Sequence, residues 1–595
     1  MSTLFKNTVP FTNRSIVVLP FVNMSNSSDN EFFSDGITEE IINALTFVKG
    51  LKVIARTSSF AFKNKHIDVR EIGTQLGVAN VLEGSVRVVN NHVRITAQLI
   101  SAVTGMHYWS KNFDRELKDI FKLQDEVSLL IANQIRENFG HLEIQDHLVK
   151  QSTRSFTAYE LYLKGRYEQL QWTPDALLRA IEYYDKAILQ DNQYARAYYG
   201  NMQCYGLLAI WGYMPKEIAM DKAITNMAMG KEIDTNLPEY TQAFVGKTFW
   251  GEWNFKAGYA FILETLALNP NYIDGLEAMA ELCIALGFFE IAEEYAQKLL
   301  EVDPISANNR YTLAHIFYYQ RNYESALDWV EKALEIRDDL ELANHLKVLC
   351  LVQLKDEQQL LTFIANRPLE KYQKLLYQAV NGTLYVTEET LEDWGDSHMA
   401  PAQLAPYELY ILANAGYKKE AFTLLKQYVQ QKRGQLINYR QEPLLAPLHE
   451  FAEFSELHQS NLFLEDIIEK PKALVKPKVE DAVLEGLHQQ LITYFEEEKP
   501  YLDTQLTLTS LGESIGMHPN RLSYLINEFL EVNFNEFVNA YRLTHFKAIA
   551  VLPENAHLTL LALAYDSGFN SKTVFNTYFK KAEGKTPKAW LKEQQ

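Results

Sequence analysis

The chain has 595 residues, several times the ~100–200 residues of a typical domain, so we expect three or more folding units. Hydrophobic residues make up 47% of it and charged residues 22%, which is ordinary for globular proteins and excludes a largely disordered or fibrous chain. The sequence starts without the apolar core of a signal peptide and contains no run of about 18 apolar residues. We therefore expect neither secretion nor membrane spanning, and a cytoplasmic location.

Charge is distributed unevenly along the chain. The net charge is −19, which is unfavourable for contact with nucleic acid. Residues 501–595, however, contain nine basic and nine acidic side chains, so the excess of acid lies in residues 1–500. Contact with DNA phosphates is therefore expected only at the C-terminal end.

Motifs for metal, nucleotide or catalytic chemistry are not found in the sequence. Cys204, Cys283 and Cys350 are far apart and form no CxxC pair, so we expect neither a zinc cluster nor a disulfide framework. Gly246-Lys247-Thr248 and Gly584-Lys585-Thr586 lack the upstream glycine of a phosphate loop. No Ser-His-Asp or Cys-His arrangement is identifiable from spacing, so we expect no cofactor, no metal and no catalytic residues.

The first 145 residues mix strand and helix patterns, which predicts a small α+β domain at 1–145. Apolar runs of four to six residues indicate buried strands, and apolar residues at helical spacing indicate amphipathic helices. Asn90-Asn91 lies between two strand-like segments and fits a hairpin turn. The predicted elements are a strand at 15–20, a helix at 32–48, a strand at 51–55, a helix at 69–76, two strands within 81–99 and a helix at 120–139.

A repeat of 34 residues runs through the middle of the chain. Asn269-Pro270 and Asp303-Pro304 are 34 residues apart, and Arg337-Asp338 follows after another 34. The residues that recur in one register are Gly258, Ala292 and Ala326, then Thr265, Leu299 and Ala333, with Ala180 and Ala187 at the matching offsets of an earlier unit, 161–192. The period resembles tetratricopeptide repeats (TPRs), in which small side chains let two antiparallel helices approach closely. We expect TPR-like helical repeats over 155–465, degenerate or capping from 345 onwards.

A stretch rich in lysine and proline follows the repeats. Between Lys470 and Lys478, prolines stop helices and like charges keep the chain solvated. We therefore predict a linker at 466–480 and a separate domain at 481–595.

The C-terminal domain contains two helix-turn-helix patterns. The first has helices at 506–514 and 520–529 around a turn at 516–519, and the second has helices at 558–567 and 571–580 around a turn at 568–570. A helix predicted at 534–552 connects them. In each pattern the second helix has one apolar face, formed by Leu522, Leu525, Ile526 and Phe529 in the first unit and by the pairs Val574/Tyr578 and Phe575/Phe579 in the second.

The opposite faces of these two helices are polar. Their Arg, Lys, Asn, Ser and Thr side chains match the hydrogen-bonding groups of base edges and phosphates in the major groove of DNA. The predicted DNA-binding residues are His518, Asn520, Arg521, Ser523, Tyr524, Asn527, Ser571, Lys572, Thr573, Asn576, Thr577 and Lys580.

The same region resembles the DNA-binding domain of AraC/XylS-type transcription regulators over roughly the last 95 residues. The likeness lies in Leu511, 522–527, 533–534, 539–543, 562–575, 579–581 and 584–587. The resemblance implies promoter binding with the second helix of each unit inserted in the major groove. Two positions depart from the family pattern: Gly512 replaces the usual alanine, and Trp590-Leu591 replaces an aromatic-arginine pair.

The N-terminal block also has a resemblance. Segments 15–21, 32–41 and 81–87 are similar to the α+β domain found ahead of TPRs in some bacterial regulators and adenylate cyclases, related to the TolB N-terminal fold. This combination implies a sensing body joined to a DNA-binding head.

Taken together, the patterns predict a mainly α protein: a small N-terminal α+β domain, a TPR-like α-solenoid and a C-terminal all-α double helix-turn-helix domain. The predicted function is a bacterial one-component transcription regulator. Its expected partners are promoter DNA and a ligand or protein that binds the N-terminal and repeat regions, with homodimerisation left open. Two alternatives stay open, a TPR interaction scaffold with a minor DNA role and an enzyme in the N-terminal block.

Overall fold

The computed structural model describes residues 12–25, 31–149, 151–171, 173–210, 213–384, 406–458, 462–463, 465, 467 and 481–594. The lysine- and proline-rich stretch from Lys470 to Lys478 lies outside the described residues. Among the described residues, no helix is long and apolar enough to cross a membrane. The fold class is as predicted, mainly helical with a small N-terminal sheet.

The N-terminal sheet is built from strands β1 to β6, and its order is β3-β1-β4-β5-β6, with β2 also paired to β4. Strand β1 runs parallel to β3 and β4, whereas β4–β5 and β5–β6 are antiparallel hairpins. The predicted turn at Asn90-Asn91 is confirmed, and Asn90 has a φ of 54°, a conformation that asparagine tolerates better than most residues. The strands are β1 Thr12–Val18, β2 Val22–Asn23, β3 Lys52–Val53, β4 Val78–Val89, β5 His92–Ser101 and β6 His107–Glu116.

Helices cover both faces of this sheet. Because side chains alternate along a strand, Ile16 and Val18 pack on one face while Val17 packs on the other. Helices α1 and α4 cover the first face, and α3 covers the second together with Ala61 and Phe62, which follow α2. These helices are α1 Glu31–Thr46, α2 Arg56–Phe60, α3 Val69–Leu76 and α4 Ile120–Phe139.

The middle of the chain is a succession of paired helices. They are α5 Phe156–Gln169, α6 Pro174–Gln190, α7 Ala195–Ile210, α8 Lys216–Ile233, α9 Pro238–Val245, α10 Phe255–Leu268, α11 Ile273–Leu286, α12 Phe289–Val302, α13 Ala307–Tyr319, α14 Tyr323–Leu334, α15 Glu341–Leu354, α16 Glu357–Ile364, α17 Glu370–Val380, α18 Tyr407–Asn414 and α19 Lys418–Gln430. A π-helical turn, Gly246–Gly251, follows α9, and short 3-10 turns (Gly434–Leu436, Pro443–Glu450 and Ala452–Glu456) follow α19.

The 34-residue period corresponds to helix pairs of this solenoid. Ala292 and Ala326, one period apart, are fully buried where neighbouring helices meet. At Gly258, in the same register, a Cβ atom would lie 2.8 Å from the Cβ atom of Phe249. The recurring small residues therefore mark positions where helices or large rings approach too closely for a longer side chain.

The N-terminal domain is attached to the solenoid by buried polar contacts. Arg166 of α5 donates to Glu39 at 2.9 Å, and Arg196 of α7 forms an ion pair with Glu40 at 2.9 Å. Further along, the carboxylate of Asp303 accepts from the backbone N–H of Ser58 at 2.9 Å. The sheet domain therefore contacts solenoid segments that are more than 100 residues apart in sequence.

The C-terminal region is entirely helical in its described part. Its helices are α20 Asp481–Glu497, α21 Leu508–Ile515, α22 Pro519–Tyr524, α23 Phe534–Ala550, α24 Leu560–Asp566, α25 Lys572–Glu583 and α26 Pro587–Gln594. A π-helical turn, Leu525–Phe529, extends α22, so the second helix of the first unit is less regular than predicted. Two 3-10 turns, Pro500–Leu502 and Pro553–Asn555, precede α21 and α24.

Candidate DNA-binding surfaces

The first helix-turn-helix unit consists of α21, a tight turn and α22. Thr507 and Ser510 form a capping box in which each side chain accepts from the backbone N–H of the other residue at the start of α21. Gly516 ends the helix in the left-handed conformation, at a φ of 67°. His518 then caps α22 by accepting from the N–H of Asn520 at 3.2 Å.

Gly512, which departs from the family pattern noted above, has a steric reason in this chain. A Cβ atom at residue 512 would lie 2.6 Å from the carbonyl oxygen of Met517. The same two residues are joined by a hydrogen bond from the N–H of Met517 to the carbonyl oxygen of Gly512, at 2.8 Å. The turn therefore folds back on α21 so closely that glycine fits best.

The second unit repeats this arrangement with α24 and α25. Thr559 caps α24, and Ser571 caps α25 by accepting from the N–H of Val574 at 3.2 Å. Between them Gly568 has a φ of 90°, and a Cβ atom there would lie 2.1 Å from the carbonyl oxygen of Tyr501. Both the backbone conformation and the close approach require glycine at this turn.

Helix α23 connects the two units and is about 25 Å long at 1.5 Å per residue. Its Arg542 is buried and donates to the carbonyl oxygens of Tyr501 (2.8 Å) and Asp503 (2.7 Å). Burial lowers the pKa of Arg542 to about 10. This arginine therefore holds the segment before α21 against α23 and is not available to DNA.

A family model for this kind of domain matches the region. Residues 511–593 match the family described as "Helix-turn-helix domain". The C-terminal domain is a helix-turn-helix domain of the AraC/XylS type. The match begins within α21 and runs through the rest of both units and the helix between them.

Two further comparisons concern other parts of the chain. A curated relative from Rhizobium meliloti (strain 1021), named "Putative adenylate cyclase 3", is 47% identical over 160 residues. The matched segment is 27% of this chain, and the chain spans about a quarter (27%) of that relative. A solved structure entitled "Crystal structure of YrrB: a TPR protein with an unusual peptide-binding site" aligns with 32% of this chain and 91% of its own, at 22% identity and a TM-score of 0.21.

In the second unit of the AraC/XylS-type domain, the polar face of α25 is open to solvent. The side chains of Lys572, Thr573, Asn576, Thr577 and Lys580 are exposed, and Ser571 at the helix start is half-buried. A shallow open depression of about 450 Å³ lies between residues 576 and 581. The structure thus brings the predicted residues of this unit together on one accessible face.

Charge also favours the second unit of the AraC/XylS-type domain. Residues 572–595 contain six lysines and two glutamates. Residues 501–540, which include the first unit, contain one arginine and five acidic side chains. The second unit is therefore expected to attract DNA phosphates more strongly than the first.

One predicted side-chain position in the AraC/XylS-type domain is wrong. Val574 is 40% exposed and does not form a buried pair with Tyr578, because the buried face of α25 is formed by Phe575 and Phe579. Ser523 is fully buried in the folded chain, and its hydroxyl accepts from the amide of Asn527.

Three more predicted residues of the first unit are half-buried: Asn520, Tyr524 and Asn527. By contrast, His518 and Arg521 are exposed. The covering residues belong to the N-terminal domain. Asn520 accepts from Arg136 at 2.7 Å, and the ring of Tyr524 meets His141 edge-on with centroids 5.7 Å apart. The predicted face of α22 is therefore partly covered, whereas that of α25 is open to solvent.

One residue of the exposed face was not singled out from the sequence. Lys581 borders the depression on α25 and forms an ion pair with Glu536 of α23 at 2.5 Å. The hydrogen bond within this ion pair lowers the pKa of Glu536 and raises the pKa of Lys581. Lys581 follows Thr577 by four residues, and residues four apart lie on the same face of a helix. This spacing is the feature of the sequence that indicates Lys581 as part of the exposed face.

Proposed function

We propose that this chain is a sequence-specific DNA-binding regulator of transcription, of AraC/XylS type, and that α25 is its principal DNA-reading helix. The observation that carries the proposal is the exposed polar face of α25, held by two capped helix-turn-helix units in a domain of this family. An α-helix fits the major groove of DNA, where Asn and Lys side chains pair with base edges and phosphates. Lys572 and Lys580 then contact phosphates, while Thr573, Asn576 and Thr577 reach the base edges.

The proposal assigns the remaining domains to sensing. Residues 1–145 form the α+β unit, 155–465 the TPR-like solenoid, 466–480 the linker and 481–595 the DNA-binding domain. Binding of a ligand or partner to the α+β unit or the solenoid changes the state of the DNA-binding domain. The support is that the sheet domain contacts both neighbours, through Arg166–Glu39 on one side and Arg136–Asn520 on the other.

In this proposal the chain acts by binding and catalyses no reaction. The cyclase name belongs to the relative and describes a protein of which this chain covers about a quarter. Because bacterial promoters are reached from the cytoplasm, the proposed function places the chain there.

The test is capture of genomic DNA fragments by the purified full-length protein at one fixed, near-physiological salt concentration. The wild type is compared with Arg521→Ala/Lys572→Ala and with Lys588→Ala, which removes an exposed lysine of α26 outside the recognition helices. We expect a shared motif in the wild type and in Lys588→Ala that is lost in the double variant. Absence of any motif in all three would favour the alternative, an interaction scaffold with a minor DNA role.

A further inference from the structure

The end of α4 and the segment after it form a surface that covers the first helix-turn-helix unit. We call residues 133–147 the docking segment. It belongs to the N-terminal domain, yet its polar groups face residues more than 370 positions later in the chain. These contacts are made within one chain.

Asn520, a predicted DNA-binding residue, makes three side-chain hydrogen bonds to the docking segment. Its side-chain oxygen accepts from the guanidinium of Arg136 at 2.7 Å and from the N–H of Ile144 at 3.2 Å. Its side-chain nitrogen donates to the carbonyl oxygen of Ile144 at 2.9 Å. An asparagine reads adenine by offering this same donor and acceptor pair, so Asn520 cannot contact a base while docked.

Other predicted residues of the first unit face the same segment. His141 meets the ring of Tyr524, and Asp146 lies 3.6 Å from the imidazole of His518. At Gly140 a Cβ atom would come within 3.3 Å of the side-chain oxygen of Asn527, so the backbone of the segment runs close to α22.

Two more hydrogen bonds fix the first unit as a whole. Glu137, which is buried, accepts from the N–H of Leu508 at 2.9 Å and so satisfies the first turn of α21. Asn138 accepts from the side-chain amide of Asn535 at 2.9 Å, at the start of α23. The contact therefore involves α21, α22 and α23 rather than one surface side chain.

The position of Arg136 shows that this contact excludes water. Its side chain is only 2% exposed, and it also donates to Asn133. Burial lowers the pKa of Arg136 to about 10. A buried guanidinium is costly unless its hydrogen bonds are made, and Asn520 accepts one of them.

We propose that the N-terminal domain holds the DNA-binding domain in an autoinhibited state, in which the docking segment masks the first recognition helix and leaves the second one free. This inference rests on the proposed function. A docked chain engages DNA through α25 alone, and release of the docking segment adds the second half of the binding site. Since two linked contacts bind far more tightly than one, undocking changes affinity without altering any DNA-reading side chain.

The first experiment uses the full chain with Arg136→Ala/Asn138→Ala, which removes two docking groups and no predicted DNA-binding residue. The matched control is Arg115→Ala/Asn112→Ala, which removes the same two residue types from exposed positions of β6. Binding to a sequence selected by the wild type, its footprint, and hydrogen exchange of residues 519–529 are measured for all three proteins. We expect the docking variant to bind at least about tenfold more tightly, with a footprint longer by about one helical turn, ~10 base pairs. Hydrogen exchange at 519–529 should also become faster in that variant alone.

A second variant tests the same inference in the opposite direction and does not depend on removing a buried group. Asn138→Cys/Asn535→Cys places two thiols where a hydrogen bond joins the domains, and the three native cysteines are all buried. Treatment with a short bifunctional thiol reagent locks the docked state. We expect the crosslinked protein to keep the short footprint even when Arg136→Ala is added, and the same protein without crosslinking to lose it.

The outcomes separate the two proposals. If the wild type binds a selected sequence but the docking variant shows unchanged affinity, footprint and exchange, the autoinhibition is refuted and the proposed function stands. If neither protein binds any sequence above random DNA, the proposed function fails, and the inference that rests on it fails as well.

Discussion

At the scale of single residues, glycines and buried polar groups decide the geometry of the DNA-binding domain. Gly512 and Gly568 allow the turns to approach neighbouring backbone, and Arg542 joins the segment before α21 to α23. None of these residues contacts DNA in the proposal. Their role is to place α22 and α25 on a rigid frame.

The turn of the second unit provides a stability prediction. Gly568→Ala introduces both a strained φ and a Cβ atom 2.1 Å from the carbonyl oxygen of Tyr501, so we expect a loss of at least about 2 kcal/mol in the free energy of unfolding. Gly584→Ala is the control, because Gly584 has a similar φ of 70° but open space around it. The control should lose only about 1 kcal/mol. Urea unfolding of the full chain measures both, and equal losses would contradict the steric argument.

Salt dependence tests the proposed phosphate contacts one lysine at a time. Each phosphate contact contributes about 0.9 to the slope of log Kd against log salt. We therefore expect Lys580→Ala to reduce that slope by about 0.9, and Lys588→Ala to leave it nearly unchanged. Equal slopes in wild type and Lys580→Ala would show that Lys580 does not contact a phosphate.

At the scale of elements, the best-predicted helices are those whose ends are encoded locally. The helix at 69–76 is found with its predicted bounds because Asp68 caps its start and Gly77 ends it in the left-handed conformation. The solenoid pairs were visible as a 34-residue period of small residues. Helix α25 was predicted within three residues, although one residue of its assumed buried face was wrong.

The elements that the sequence analysis missed lack such local signals. Strand β6 is polar along most of its length, and Phe113 is its only buried residue in the described structure, so no alternation marks it. The docking segment was not predicted because it depends on pairs such as Arg136 and Asn520, which are 384 residues apart. A single sequence contains no pattern that reports contacts over that distance.

The repeat itself provides a prediction at this scale. Ala292 is fully buried between helices, so Ala292→Leu forces a larger side chain into a packed contact and should cost about 1–3 kcal/mol of stability. Gln297→Leu is the matched control, since Gln297 is exposed on the same helix, α12. Thermal unfolding should show a lower midpoint for the first variant only. A midpoint equally unaffected in both would mean that the recurring small residues are not needed for packing.

At the scale of the whole molecule, the N-terminal domain is the connection between the solenoid and the DNA-binding domain. On one side it contacts solenoid helices and loops through Glu39, Glu40 and Ser58. On the other, the docking segment covers the first recognition helix. In the proposed autoinhibition, a ligand or partner that changes either contact shifts the balance between docked and free states by its difference in affinity for the two.

The contact at Asp303 makes the interface between the N-terminal domain and the solenoid sensitive to pH. Burial raises the pKa of Asp303 from 3.8 to about 6, so the folded chain binds one more proton than the unfolded chain between those values. The contribution of the Asp303 carboxyl to the free energy of unfolding is therefore largest below about pH 4. It falls as the pH rises towards 6 and does not change further at higher pH. Because each pKa unit corresponds to about 1.4 kcal/mol, Asp303→Asn should flatten the pH dependence of unfolding by about 3 kcal/mol in that window.

The control for this prediction is Asp339→Asn, which changes an exposed aspartate in the next loop between repeats. Chemical unfolding of both variants and of the wild type is compared at pH 4, 5, 6 and 7. If Asp303→Asn keeps the pH dependence of unfolding seen in the wild type, the carboxyl of Asp303 does not cause that dependence.

The most direct test of the central claim is a base-resolution footprint of the full-length protein on one captured genomic fragment at fixed salt. We expect the wild type to protect one turn of the major groove, and Asn576→Ala to lose base preference at a position inside that turn while Lys588→Ala keeps the wild-type pattern. A footprint that survives the loss of both Lys572 and Asn576 would contradict the assignment of α25 as the DNA-reading helix.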